Sequence, residues 1–123
     1  MRATGLLIAA ALLLTPAAAL AHDCGKAGKV DLAGKTFTGD AVWSDGDTYR
    51  MTITFNADCT LRYGYNDQVY DDARWVQDGD AFSYQVNEGY ALYLGKVGGR
   101  ALIKGRMANK VGSAGTFSFK LDK

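Results

Sequence analysis

Histidine is nearly missing from this chain, with His22 the single example. A Ser-His-Asp or Cys-His arrangement needs an imidazole within reach of a nucleophile and a third group to orient it, and one histidine beside the amino-terminal leader offers neither. A copper brace built on a terminal histidine lacks its second imidazole. Cysteine is equally scarce: Cys24 and Cys59, without a further thiol or imidazole, make a poor zinc site. The only proline, Pro16, precedes the folded part, so nothing there interrupts a β ladder. No stretch repeats with a helical period. Asp45-Gly46-Asp47 and Asp78-Gly79-Asp80 lack the distant glutamate of a twelve-residue calcium loop, and their spacing suits turn chemistry better. The sequence therefore predicts no catalytic residue, no metal and no cofactor.

What is present begins with Met1-Arg2, an apolar run over residues 6–14, and Ala19-Leu20-Ala21. This pattern reads as a secretory signal peptide over residues 1–21. The run is too short to span a bilayer and no second one follows, so no membrane association is expected after cleavage. Cys24 follows Ala21-His22-Asp23, and an acidic residue directly before the cysteine does not suit lipid attachment. The expectation is a periplasmic or secreted protein whose residues 22–123 form one domain. In an oxidising compartment Cys24 and Cys59 are expected to pair. Cys59 sits at a hairpin tip and Cys24 before the first strand, so their bond would pin an amino-terminal arm across one end of the fold. A ligand would then enter from the opposite rim.

Apolar and polar residues alternate at period two from Thr36 to Leu121. In one segment Tyr49, Met51, Ile53 and Phe55 face one way and Thr48, Arg50, Thr52 and Thr54 the other. Strands are predicted over residues 35–43, 48–56, 60–66, 68–76, 81–87, 90–97, 100–108 and 116–121, joined by Gly-, Asn- and Asp-rich turns that supply positive φ. Short connections favour pairing of chain neighbours, and closure removes both exposed edges. The fold class is all-β: an eight-stranded antiparallel up-and-down barrel. Such a barrel holds either a filled core or one small ligand.

The segments Gly34-Lys35-Thr36-Phe37, Phe55-Asn56-Ala57-Asp58-Cys59-Thr60, Ala73-Arg74-Trp75, Tyr93-Leu94-Gly95 and Gly105-Arg106-Met107-Ala108-Asn109 resemble the small exported bacterial lipocalin-like, or calycin, barrels. The resemblance covers nearly the whole segment after the leader. Phe37 stands where lipocalins usually carry Trp, and Cys59 where the hairpin tip usually carries glycine. The resemblance implies the barrel architecture and a carrier or inhibitor role, and transfers no functional residue.

Charge is unevenly spread. Nine acidic residues lie between Asp40 and Asp80 against Arg50, Arg62 and Arg74, whereas from Lys96 onward seven basic residues face only Asp122. This suits one acidic and one basic wall. Nucleic-acid binding is not expected, because the basic strands lack interleaved exposed aromatics. Asp71 shares strand parity with Val69, Ala73 and Trp75; it either points inward to orient a polar ligand or is turned outward by a bulge. Tyrosines combine apolar area with a hydrogen-bonding tip. Parity nominates Trp43, Tyr49, Tyr63, Tyr65, Trp75 and Tyr84 as an inward group which, with Asp71, would line a ligand site. The expected role is non-enzymatic binding of a small apolar or amphipathic ligand. Alternatives are an inhibitor of a secreted or envelope protein hydrolase, acting through loop tips or the arm, and a hydrolase built on paired aspartates such as Asp71 and Asp72.

Overall fold

The computed structural model describes residues 21–122; the leader expected over residues 1–21 lies outside this range except for the backbone of its last residue. Two short strands, β1 (Ala21–His22) and β2 (Gly25–Ala27), precede eight longer ones: β3 (Thr36–Trp43), β4 (Thr48–Phe55), β5 (Thr60–Tyr65), β6 (Gln68–Gly79), β7 (Ala81–Val86), β8 (Ala91–Val97), β9 (Leu102–Asn109) and β10 (Ala114–Leu121). A 3-10 turn at Gly99–Ala101 is the only helical element among the described residues. Each long strand pairs antiparallel with its chain neighbours, and β3 pairs with β10 to seal an eight-stranded barrel. The expected architecture is thus observed, and the eight predicted strands start and stop within about three residues of the real ones.

Alternation produces this tube. Along β4, Met51, Ile53 and Phe55 are buried while Thr48, Arg50 and Thr52 are exposed. The outer face is knitted across β3 and β4 by hydroxyl pairs, Thr36 with Thr54 at 2.8 Å and Thr38 with Thr52 at 3.1 Å. Tight reversals come from residues that accept positive φ. Asn66 and Asp67, at +52° and +62°, form the two-residue turn between β5 and β6. At Gly95 and Gly105, which face each other across β8 and β9, the backbones approach so closely that a Cβ on Gly105 would run into the Leu94 carbonyl oxygen.

One half of the barrel is solid. Phe55 stands at its centre, with Phe37, Trp75 and Phe82 packed edge-on at ring-centroid distances of 5.7, 5.2 and 5.7 Å. Trp75 donates its indole N–H to the Asn56 carbonyl at 3.0 Å. The amino-terminal segment closes this end. Leu32 is fully buried beneath it, and β2 pairs in parallel with β6 from Gln77 to Gly79, beyond the point where β5 stops pairing. Gln77, buried and polar, ties the arm down: its side-chain amide donates to the Val30 and Gly79 carbonyls and its oxygen accepts from Leu32 N–H. The arm is therefore more structured than a pinned loose segment, because backbone groups left free by the long β6 recruit it as an extra strand. The Cys24–Cys59 disulfide is formed, with Cα atoms 5.2 Å apart, and among the described residues no cysteine is free.

Candidate functional site

At the rim away from the disulfide the barrel is hollow. A cavity of about 420 Å³ lies among the ends of β3 to β9 and opens between the turns that join them. Its wall on β4 to β6 is a tyrosine cluster. The Tyr63 and Tyr65 rings are parallel to within 8° at 6.5 Å, Tyr70 stacks on Tyr63 at 5.1 Å, and Tyr49 meets Tyr65 edge-on at 5.4 Å. The floor is made by buried Met51, Val86, Ala91 and Tyr93, with the Tyr93 hydroxyl turned toward the Met51 sulfur at 3.8 Å. Trp43 and Tyr90 complete the aromatic lining; Asp45, Asp47, Asn87, Asn109 and Ser113 form the mouth.

Polar groups share the lining with these apolar ones. Tyr63 donates its hydroxyl to the Asp72 carboxylate at 3.1 Å. Burial, together with that carboxylate, pushes the Tyr63 phenol far above its ordinary range. Burial and then the neighbouring Tyr70 hydroxyl raise Tyr65, and burial pushes Tyr93 up to about 12. These phenols stay protonated at any physiological pH, so the wall presents neutral rings with hydroxyl tips. Two depressions of similar volume on the outer wall, one beside Arg74, Val76 and Glu88 and one beside Val42, Lys104 and Arg106, are more open and lack this aromatic enclosure.

No protein family, curated protein or solved structure matches the chain. The eight-stranded antiparallel barrel is consistent with a lipocalin-like architecture, and the disulfide is compatible with an extracellular or periplasmic location.

Of the seven residues that parity nominated, Trp43, Tyr49, Tyr63 and Tyr65 line the cavity together. Trp75 and Tyr84 also point inward but lie in the filled core, each about 1 % exposed, and do not reach the cavity. The Tyr84 hydroxyl has no hydrogen-bond partner among the described residues, and its ring stacks on Tyr93 at 4.6 Å. Asp71 is exposed. The pairing of β5 with β6 slips by one between Leu61–Ala73 and Tyr63–Tyr70, so Asp71 and Asp72 together oppose Arg62. This bulge turns Asp71 out, brings Tyr70 to the cavity and leaves Asp72 exposed at its edge, where it also borders the outer depression beside Arg74.

Among the aromatic lining residues parity did not nominate Tyr70, Tyr90 or Tyr93, and among the acids it did not nominate Asp45, Asp47 or Asp72. For Tyr93 a usable signal existed. Ala91-Leu92-Tyr93-Leu94 is apolar throughout and sets no face, yet Lys96 must look outward, which places Leu94 and Leu92 with it and Tyr93 inside. Leu92 and Leu94 are indeed exposed.

Proposed function

We propose that this protein is a non-enzymatic binding protein of the periplasm or extracellular medium that holds a small amphipathic molecule in the open end of its barrel, in the manner of the exported bacterial calycins it resembles. The observation that carries the reading is the cavity itself. Its roughly 420 Å³ lies within the range of small-molecule sites, and its lining is divided between apolar or aromatic surface and polar groups, as an amphipathic ligand requires. Trp43, Met51, Val86 and Tyr93 would take the apolar body, and the hydroxyls of Tyr49, Tyr65 and Tyr70 the polar part. Buried Leu32 and the disulfide lie at the opposite end, which suits entry of the ligand from the tyrosine-lined rim.

The test is a titration with the uncharged fluorophore N-phenyl-1-naphthylamine. The expected result is a saturable rise in emission at one probe per chain, weakened by Ala91→Leu, which fills the floor. A melting curve confirms that the variant is folded. Emission that rises linearly without saturation removes the carrier reading.

A further inference from the structure

We propose that the cavity selects a small organic cation, an amine or quaternary ammonium borne on an apolar body, held against the tyrosine faces and balanced by the carboxylates of the mouth. The inference rests on the cavity being a ligand site and adds the sign of the ligand's charge.

The lining carries charge of one sign only. Asp45, Asp47 and Asp72 border the cavity, and among the described residues no Lys, Arg or His does. None of the three carboxylates is held in an ion pair among the described residues; the pair formed there, Arg50 with Asp40 at 3.3 Å, lies on the outer wall. The three carboxylates are solvent-exposed, so an anion approaching the cavity meets a like-signed, water-screened field at its edge, whereas a cation is drawn to it.

The rings are disposed to favour the same sign. Tyr63, Tyr65 and Tyr70 lie roughly parallel, and Tyr49 stands against Tyr65 at 70°, so the wall forms a corner of π faces and edges. The negative face of an aromatic ring attracts ammonium groups, most strongly where water is excluded. A neutral phenol keeps that face accessible without adding a formal charge. Met51 and Val86 on the floor accept hydrocarbon. A bare metal ion fits less well, because no three of His, Cys, Asp and Glu gather at metal-binding distance among the described residues. Separated carboxylates with intervening rings suit the diffuse charge of an alkylated ammonium.

Three probes of one shape separate charge from fit: benzyltrimethylammonium, its uncharged carbon isostere neopentylbenzene, and phenylmethanesulfonate. Each is titrated into the full chain, purified after export, with the tyrosine ring resonances as readout. Benzyltrimethylammonium is expected to bind about tenfold tighter than neopentylbenzene, with shifts at Tyr49, Tyr63, Tyr65 and Tyr70, and the sulfonate weakest. Asp72→Asn keeps an acceptor for the Tyr63 hydroxyl and is expected to weaken the cation about three- to tenfold while leaving neopentylbenzene unchanged. Asp45→Asn serves the same purpose should Asp72→Asn fail to fold. Equal affinity for the cation and its isostere, or cation affinity untouched by both variants, overturns the proposal while the carrier reading stands. If the cation leaves these tyrosines unmoved while N-phenyl-1-naphthylamine saturates, the charge assignment alone falls. If both fail, the cavity is no ligand site.

Discussion

Tyr93 shows how one side chain links packing to titration. Its ring stacks on Tyr84 and its hydroxyl meets the Met51 sulfur at the cavity floor. Burial, with a smaller contribution from Tyr65, moves its pKa from the ordinary 10 up to about 12. The folded state therefore binds the phenolic proton more tightly than the unfolded chain does. Stabilisation from the neutral buried ring is fully present below pH 10 and is lost as pH rises from 10 through about 12. Tyr84 and Tyr63, also raised, add to the loss in the same direction. Urea denaturation across this alkaline window is expected to show a falling midpoint, with phenolate absorbance appearing as the fold is lost, and Tyr93→Phe is expected to flatten the slope. A midpoint independent of pH above 10 contradicts this account. Phe55 offers a purely apolar counterpart. Fully buried and touching four other rings edge-on, it leaves a large void when truncated. Phe55→Ala is expected to cost about 3–5 kcal/mol in chemical denaturation.

The bulge of β6 is the element on which the site depends. By letting two residues oppose Arg62, it changes the strand's parity, so Ala73, Trp75 and Gln77 pack the closed half while Tyr70 faces the open one. Deleting Asp71 would restore one-to-one pairing with Tyr70 and Ala73 still inward, but would turn Asp72 to the outer face. The deletion variant is expected to fold with the barrel's circular dichroism and to lose the bond from Tyr63 to Asp72. Its signature is a Tyr63 phenol that titrates lower than in the parent. A Tyr63 titration that does not move contradicts this account. The arm strand β2 depends on β6 as well. Gln77 supplies three hydrogen bonds that hold residues 30–32 and the turn at Gly79, so Gln77→Ala leaves buried backbone groups unpaired. The expected cost is about 2–3 kcal/mol, with hydrogen exchange accelerating at Leu32 before it does so in β3 to β10.

For the whole molecule, the disulfide and the cavity lie at opposite ends. The disulfide closes a loop of 35 residues and in the chain-entropy view contributes about 4 kcal/mol. The double substitution Cys24→Ser and Cys59→Ser is expected to lower unfolding free energy by about that amount while leaving N-phenyl-1-naphthylamine affinity unchanged, because the cavity lies at the far rim. A large loss of affinity in a variant that is still folded would show that the two ends are coupled. The outer wall is divided too. Lys96 and Lys104 stand directly opposite on β8 and β9, with Arg106 two residues along, while the acidic mouth lies at one end. Like charges placed side by side cost some stability, so this pair weakens the sheet locally rather than strengthening it.

Much of this was written locally. Alternation of period two, positive-φ turn residues, and the absence of proline and helical period determined strands, turns and closure, because each depends on neighbours in the chain. Cys59 at φ +74°, where glycine is the usual occupant, and its bond to Cys24 were likewise legible from position and compartment. Only the tertiary structure decided which inward side chains pack and which stay accessible. Trp75 and Tyr84 share the inward parity of Tyr63 and Tyr65, yet depth along the barrel axis separates them, and depth follows from stagger among strands distant in sequence. The exposure of Asp71, the arrival of Asp72 at the cavity and the recruitment of β2 to β6 were decided the same way. Each follows from backbone pairing across strands, which a single extra residue on one side can reverse.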